Sequence, residues 1–534
     1  MKRYNSILYM CAATLFAALT CASCGDLLDL GPIDYYGSES YWKTEANFDS
    51  YIDGLHKNMR DQSWTHTIVI GEMRGGAYRT GTGSDGSSLD YQEIIDQNFD
   101  NDHTGLSSFG NYYGRITNVN LFIARLEASD VVSAAKKETY LGIAYGLRAF
   151  YYFDLYRTYG NVPLRLDVAV IDGELDPVNL YMGRNPASEV LAQIKSDLKS
   201  SLDHFGATNN FPYGKSYWSK AATEALAAEV YLWSAKVSVL DQKAGGASDI
   251  AQAKTYLKNL ESNYGLALQN DFSSIFSTKK NGEVIFSIHF GEGEATNALS
   301  NYTYMSDGRG ETMNRQLKED GTIFGDELKL NTAGIQRCQY LDNMFLSYDR
   351  EDSRRDATFI ASYDKTVFEN TGVMQIFGTN VRKNIGYQNA AGVHQFEGDF
   401  IYYRLAWVYL SLAEVANYEG NGTDVAKYIN LVRKRAYGAN WTPDYEYTAG
   451  SFTQNELAIL AEKDKELIQE GQRWFDVCRM TLTKDGKHLV FCPEGNPAND
   501  GTSVLKESEA YKVLWPLDKT ILGNDPELTQ TQGY

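Results

Sequence analysis

The chain has few cysteines and a deficit of basic residues for its 534 positions. After Cys24, only Cys338, Cys478 and Cys492 follow. An odd number of scattered cysteines forms no disulfide framework, so packing must stabilise the core. The 69 acidic residues outnumber the 50 basic ones and give a net charge of −19. This excess argues against binding to nucleic acid or to an anionic membrane surface through protein charge. It favours a neutral ligand, although a local basic pocket can still hold an acidic one.

Long apolar runs are also missing after the first 23 residues, which argues against a membrane-spanning helix in the remainder. Lys2 and Arg3 begin a leader whose apolar stretch, residues 6–20, is too short to span a bilayer comfortably. This pattern predicts a secretory signal over residues 1–23. Removing it leaves 48 basic against 69 acidic residues, a net charge of −21.

The end of the leader predicts a lipid anchor. Cys24 follows Ala22 and Ser23, small residues of the kind that a lipoprotein peptidase accepts, whereas Cys21 follows Leu19 and Thr20, a poorer fit. Acylation of Cys24 removes an exposed thiol and tethers the chain. The alternative is ordinary signal cleavage, with the cysteines paired or free.

Sequence motifs for catalysis and metal binding are weak or missing. The match to G-x-G-x-x-G at residues 81–86 lacks the strand that a dinucleotide site needs immediately before it. The stretch at 100–105 resembles the start of a calcium loop but has Asn111 where the bidentate Glu belongs. The seven histidines are scattered, and neither H-E-x-x-H nor G-x-S-x-G occurs. We therefore expect no catalytic residue, no cofactor and no metal site.

Aromatic residues are abundant, with 38 Tyr, 8 Trp and 23 Phe. Tyrosine combines a large apolar face with a polar tip, which suits ring-stacking surfaces and interfaces. For any single tyrosine, however, packing in a large helical core is the stronger interpretation.

Several segments repeat apolar residues every three or four positions, the spacing of a helix. One long helix is predicted up to Gly160 and Pro163, which end it. Others are predicted in "SKAATEALAAEVYLWSAK", "YRLAWVYLSLAEVANYEG", "GTDVAKYINLVRKRAYG" and, as a single helix, "NELAILAEKDKELIQEGQRWFDVCRM". Their alanine ridges allow close helix packing. The pattern predicts a mainly α fold, a scaffold of tetratricopeptide-like helical hairpins.

The amino-acid composition changes between about 264 and 398, where Gly, Asn, Ser and Thr dominate and short β-like runs such as "EVIFSIHF" occur. We interpret residues 24–534 as a single domain. Its helical scaffold covers about 40–263 and 399–481, and a loop-rich insertion at about 264–398 carries the ligand site, because function tends to reside in loops held by rigid elements.

Four stretches, in order along the chain, together resemble the SusD/RagB family of Bacteroidetes outer-membrane lipoproteins. They are "CGDLLDLGP" with "YWKTEANFDSYIDGL"; "LRAFYYFDLYRTYGNVPL"; "FIYYRLAWVYLSLAEVAN" with "INLVRKRAYG"; and "EKDKELIQEGQRWFDVCRM" with the C-terminal "VLWPLDKTILGNDPELTQTQGY". Cys21, where the family usually has Leu, departs from its pattern. The resemblance implies that Cys24 is the lipid anchor and that the acidic run after it directs export to the cell surface.

The resemblance also implies a function. Members of the family form a lid on a TonB-dependent outer-membrane transporter of the SusC type, capture oligosaccharides, and deliver them for import without doing chemistry. We therefore expect a lipid-anchored, surface-exposed glycan-binding protein of the outer membrane. Two alternatives stay open. One is a peptide-binding lid of a similar transporter, and the other is a surface glycosidase, which would need two carboxylates about 5–10 Å apart in a cleft.

Candidate ligand-binding residues follow from composition and loop placement, because sugars stack on aromatic rings and their hydroxyls seek polar partners. Two loop stretches qualify, 61–91 and 300–345, and a later loop can contribute as well. The candidates are Trp64, Arg74, Tyr78 and Arg79; Tyr302, Tyr304, Arg309 and Asn343; and Tyr387 and His394. Trp64 and Tyr304 lead the set because a core role is less natural for an aromatic residue in a polar loop.

Overall fold

A computed structural model describes residues 41–81, 91–106, 109–169, 176–291, 293–297, 299–304, 313–330 and 336–534. The predicted signal peptide, Cys24 and Arg309 lie outside these residues. Among the described residues, no helix is both long enough and apolar enough to cross a membrane.

The fold is mainly helical, as the sequence predicts. The scaffold helices are α1 (Glu45–Trp64), α2 (Phe109–Glu127), α3 (Ala134–Tyr159), α4 (Ala187–Phe205), α5 (Lys220–Lys236), α6 (Ala247–Asn263), α7 (Leu405–Tyr418), α8 (Gly422–Tyr437), α9 (Phe452–Glu466) and α10 (Arg473–Arg479). Short α-helices form at Gln92–Ile95, Pro177–Leu180, Ser274–Ser277, Ser300–Thr303, Asp342–Leu346, Arg354–Thr358, Lys365–Thr371 and Lys519–Asn524. A π-helical turn, Thr65–Ile70, extends α1.

Consecutive scaffold helices pack in pairs. Helix α3 packs between α2 and α4, α5 packs on α6, and α7 packs against α6, α8 and α9. The start of α5 is fixed by Ser219, whose hydroxyl accepts a hydrogen bond from the Ala222 amide. The end of α3 is fixed by Gly160, which has a φ of +72°. One hydrophobic core joins these helices from Tyr41 to Leu517.

The strands form small antiparallel sheets between the helical pairs. They are β1 (Tyr78–Thr80), β2 (Val284–Ile288), β3 (Gln316–Leu317), β4 (Cys338–Tyr340), β5 (Phe359–Asp364), β6 (Ile376–Val381), β7 (Tyr387–Gln388), β8 (His394–Gln395) and β9 (Phe400–Arg404). Strand β1 pairs with β4, β2 with β9, β5 with β3 and β6, and β7 with β8. Strand β2 lies within the predicted "EVIFSIHF" run.

The predicted single helix near the C-terminus is wrong, because the chain breaks between α9 and α10. Gln469 and Gly471 have φ values of +62° and +77°, which a continuous helix does not allow. A Cβ at Gly71 would lie 2.4 Å from the Gly471 carbonyl oxygen, so two backbones meet here. The carboxylate oxygen Oε1 of Glu72 accepts hydrogen bonds from the amides of Gly471 (2.9 Å) and Gln472 (3.3 Å).

Buried ion pairs attach the loop-rich region to the helices. The Arg404 guanidinium, at the junction of β9 and α7, contacts Glu283 at 2.8 Å and Glu470 at 2.7 Å, and it also binds Glu466. Lys383 donates to the same Glu470 carboxylate at 2.6 Å. Because breaking a buried pair leaves an uncompensated charge, this network holds the segment around Lys383 firmly in place.

Candidate functional site

Three aromatic side chains from separate parts of the chain meet at the surface of the molecule. Trp64 ends α1, Tyr91 precedes the short helix Gln92–Ile95, and Tyr302 lies in the helix Ser300–Thr303. We call these three residues the ring cluster. Each is half-buried and packs its inner side against the core, so each keeps part of its ring exposed.

The geometry of the ring cluster is well defined. The rings of Trp64 and Tyr302 stack with centroids 4.2 Å apart and an interplanar angle of 26°. Tyr91 meets Tyr302 edge-on at 5.8 Å. The Trp64 indole nitrogen donates to the Tyr91 hydroxyl at 3.2 Å. Burial raises the pKa of Tyr91 to about 12, so its hydroxyl is neutral.

Polar side chains lie at the β1–β4 pair, and one of them, Arg337, contacts the ring cluster. The Arg337 guanidinium, just before β4, sits 5.5 Å from the centre of the Tyr302 ring. Arg79 of β1 is directly opposite Gln339 of β4. The Arg79 side chain binds Asp342 and lies 3.4 Å from the Gln339 amide oxygen. Arg79 and Asp342 are each 33 % exposed, so this pair offers both donors and acceptors to a ligand.

The alternating direction of side chains along strand β1 explains why Arg79 is accessible and Tyr78 is not. Successive side chains of a strand point to opposite faces. The Tyr78 side chain turns inward, is 4 % exposed, and donates from its hydroxyl to the Tyr340 hydroxyl at 3.0 Å. The expectation that Tyr78 offers its ring to a ligand is therefore wrong.

Arg74 is likewise a core residue and does not face a ligand. Its guanidinium is fully buried and lies 4.0 Å from the centre of the Trp474 ring and 5.0 Å from that of Trp515. Its Nε donates to Gln97 at 2.8 Å, and its terminal nitrogens bind the backbone carbonyls of Lys512 and Val513. These contacts tie the C-terminal segment to the core.

Tyr304 and Asn343 also have internal partners. The Tyr304 ring is fully buried, and its hydroxyl accepts from the Leu328 amide at 3.2 Å. The expectation of an exposed stacking ring at Tyr304 is therefore wrong. Asn343 is half-buried and donates to the carbonyls of Pro497 and Ala498 at 3.1 and 3.0 Å, so it braces a neighbouring loop.

Tyr387 and His394 lie apart from these residues, on the β7–β8 hairpin. Both line a cavity of about 490 Å³, which we call the loop cavity. The Tyr387 ring is 41 % exposed and its hydroxyl donates to Glu397 at 3.1 Å, whereas His394 is only 9 % exposed. Among the described residues, no group of three or more His, Cys, Asp or Glu side chains is placed to hold a metal ion.

Of the sequence-derived candidates, the structure thus brings Trp64 and Tyr302 into contact, and Arg79 lies on β1, which pairs with the strand that follows Arg337. Composition does not single out Tyr91 and Arg337, although both lie in the two selected stretches. Their placement depends on tertiary contacts between the two stretches, such as the pairing of β1 with β4, whose residues are separated by about 260 positions. No local pattern reveals such a pairing.

Comparison with known proteins identifies the family. The SusD family matches residues 269–534. A crystal structure of a SusD superfamily protein from Bacteroides fragilis is 51 % identical, covers 92 % of this chain and 100 % of its own, and superposes with a TM-score of 0.86. The chain belongs to the SusD family. This confirms both the resemblance and the tetratricopeptide-like fold.

More distant SusD-like proteins extend the comparison. A second family, described as starch-binding and associating with the outer membrane, matches residues 32–232. The SusD-like protein P2 of Formosa agariphila is 25 % identical over 501 residues, 89 % of this chain and 91 % of that protein. A laminarin binding SusD-like protein, 19 % identical with 92 % of this chain and 100 % of its own covered, superposes with a TM-score of 0.65 and shows a shared fold.

Proposed function

We propose that this SusD-family chain captures oligosaccharides at the cell surface through the ring cluster and delivers them to a TonB-dependent transporter of the SusC type. The observation that carries the proposal is the half-exposed stack of Trp64 and Tyr302, with Arg337 against the Tyr302 ring. The partly exposed Arg79–Asp342 pair lies at the adjoining β1–β4 strands.

The chemistry of this surface suits a sugar. The flat C–H face of a sugar ring packs on an aromatic face, and its hydroxyls both donate and accept hydrogen bonds. Tyr91 offers a neutral hydroxyl, Asp342 offers carboxylate oxygens, and Arg79 and Arg337 offer donors. One matching family is described as starch-binding and one structural neighbour as laminarin binding, which supports a glycan over a peptide.

The glycosidase alternative requires a pair of carboxylates facing each other across a cleft. Asp342, which follows β4, is bound to Arg79. Among the described residues, Glu327 is the one carboxylate that lines the loop cavity, and it pairs with Lys318 at 2.7 Å. Within the part of the chain that the structure describes, neither place supplies a second carboxylate, which favours binding over hydrolysis.

The experiment is a glycan array, with a peptide pool on the same slide, followed by calorimetry on the strongest-binding glycan. Trp64→Ala and Tyr302→Ala should each weaken binding roughly 5–30-fold, because loss of a stacking ring costs about 1–2 kcal/mol. Tyr302→Phe keeps the ring and should bind nearly as well as the original chain.

Tyr213→Ala provides the matched control, because Tyr213 is 41 % exposed and lies outside the ring cluster. Its affinity should equal that of the unmodified chain. Unchanged affinity in both Trp64→Ala and Tyr302→Ala, with melting curves that show a folded protein, would exclude the ring cluster as the glycan site. Capture of peptides and not glycans would favour the peptide-binding lid.

A further inference from the structure

The loop cavity has the volume of a ligand site, and none of its lining residues belongs to the ring cluster. Its volume of about 490 Å³ lies within the range of about 300–1,000 Å³ that is usual for small-molecule pockets. Its wall includes Phe276, Lys329, Arg382, Asn384, Tyr387 and His394.

The backbone at the base of the cavity is firmly fixed. Lys383 is buried and donates to the Glu466 carbonyl at 3.1 Å and to the Glu470 carboxylate at 2.6 Å. Asn384, the next residue, has a φ of +66°, a left-handed conformation that is uncommon outside glycine. The Asn297 side chain holds it there with a 2.7 Å hydrogen bond to the Asn384 carbonyl. Such over-determined backbone is typical of ligand sites.

Two polar side chains at this wall have unmet hydrogen-bonding capacity. The Asn384 side chain is 2 % exposed, and neither its amide nitrogen nor its amide oxygen has a partner among the described residues. His394 Nδ1 also lacks one. Buried polar groups are nearly always satisfied, so each exception calls for an explanation, and a ligand group is one.

The hydrogen bond of His394 indicates what its free nitrogen seeks. Nε2 lies 3.2 Å from the Ile385 carbonyl oxygen, so Nε2 carries the proton. Burial lowers the pKa of His394 and favours the neutral ring. Nδ1 is then an acceptor, and it suits a hydroxyl donor such as that of a sugar.

Two cations at the rim of the cavity are not neutralised. Arg382 and Lys329 are exposed, and neither has an ion-pair or side-chain hydrogen-bond partner in the part of the chain that the structure describes. The carboxylate of Glu327, which also lines the cavity, is paired with Lys318. In a chain of net charge −19, two unpaired cations beside one cavity favour an anionic group at this place.

We propose that the loop cavity is a second sugar site, which binds a carboxylated sugar residue. The carboxylate lies at Arg382 and Lys329, the ring packs on Tyr387, and hydroxyls approach Asn384 and His394 from the cavity. The assignment does not depend on the ring cluster.

The test compares two sugars that differ at one carbon, galacturonic acid and galactose, by calorimetry or NMR titration of the full-length protein. Galacturonic acid should bind at least about tenfold more tightly than galactose, and Arg382→Gln should remove about tenfold or more of that affinity, because a hydrogen bond to a charged group is lost. Lys329→Gln should act in the same direction. Both positions are exposed, so the fold should survive, and a melting curve verifies this.

Lys243→Gln is the matched control, since Lys243 is an exposed cation outside the cavity, on the α5–α6 connection. It should leave galacturonate binding unchanged, as should Trp64→Ala.

Equal binding of the two sugars, no detectable galacturonate binding, or full affinity in Arg382→Gln would each overturn the proposal. Acetate that competes as well as galacturonate would reduce the site to an anion site and overturn the sugar assignment. Loss of galacturonate binding in Trp64→Ala would place the sugar at the ring cluster instead.

Discussion

Glu72 is a carboxyl group held in the core, where the π-helical turn after α1 meets the break between α9 and α10. It is 1 % exposed and accepts from the amides of Gly471 and Gln472. Its other oxygen lies 3.3 Å from the Tyr340 hydroxyl. Burial raises the pKa of Glu72 to about 8, although the two amide hydrogen bonds oppose this shift.

This raised pKa predicts a pH dependence of stability. The folded chain keeps a proton that the unfolded chain releases above its ordinary pKa near 4.5. The contribution of Glu72 to the free energy of unfolding is therefore fully present below pH 4.5. It decreases as the pH rises toward 8, by at most about 1.4 kcal/mol per pH unit. Glu72→Gln mimics the protonated form. We expect the free energy of unfolding to fall more steeply between pH 5.5 and 7.5 in the original chain than in Glu72→Gln, as measured by urea denaturation.

The control for this comparison is Glu494→Gln, which changes an exposed carboxyl on the surface. Its stability profile should run parallel to that of the original chain. Parallel profiles for Glu72→Gln as well would mean that Glu72 titrates in the folded chain as it does in the unfolded one.

At the scale of the elements, close helix packing depends on single glycines. Gly146 lies in α3, and a Cβ there would be 2.1 Å from the Trp218 indole nitrogen, which donates to the Thr223 hydroxyl at 2.8 Å. Gly146→Ala therefore has to displace Trp218 from the start of α5, and it should destabilise the fold by about 1–3 kcal/mol. The midpoint of urea denaturation measures this.

Gly54 provides the matched control, because it is a helix glycine at which an added Cβ has free space. It lies in α1, and a Cβ at this position would meet nothing within 4 Å. Gly54→Ala should stabilise the fold by up to about 1 kcal/mol, because alanine is the better helix former. If both substitutions shift the midpoint equally, helix propensity and not the contact with Trp218 sets the outcome at Gly146.

The helices could be predicted from sequence because each long helix repeats its buried positions within a local window. The end of α3 at Gly160 and the start of α5 after Ser219 are also local signals. The break at Gln469–Gly471 could not be predicted, because it depends on the approach of Gly71 and Glu72, about 400 positions away.

The candidate site was predictable in part for the same reason. Composition selected the stretches that hold Trp64, Tyr302 and Arg79. It could not separate Tyr78 from Arg79, since a three-residue strand is too short to show its alternation. Nor could it separate the buried Tyr304 from the half-exposed Tyr302, because the partner of Tyr304, the Leu328 amide, comes from another loop.

For the whole molecule, the distribution of charge bears on how the chain is held at a membrane. Many basic side chains are buried in ion pairs, such as Arg404 with Glu283 and Glu470, and Arg479 with Glu414. Because these ions neutralise one another, the net charge of −19 resides mainly in the remaining, more exposed side chains. An acidic surface is repelled by anionic lipid headgroups, so the protein body does not supply membrane attachment by charge.

We therefore expect a lipid at Cys24, together with a partner transporter, to provide the attachment. We predict that a fatty-acid probe labels the full-length chain in cells, that Cys24→Ser abolishes the label, and that this variant leaves the membrane fraction. Cys21→Ser is the matched control, because Cys21 lies in the predicted signal peptide, and this variant should keep both the label and its place in the membrane fraction. If the label were lost in Cys21→Ser and kept in Cys24→Ser, the lipid anchor would be Cys21 and not Cys24.

The same membranes test the partner. After solubilisation in mild detergent, affinity capture of the Cys21→Ser chain should recover a β-barrel transporter. If the ring cluster binds a glycan on its half-exposed surface, as proposed, release toward the periplasm needs a second protein to accept the sugar. A labelled chain recovered without any barrel, at several detergent strengths, would leave the lipid anchor in place but contradict delivery to a transporter. The chain would then only retain glycans at the cell surface.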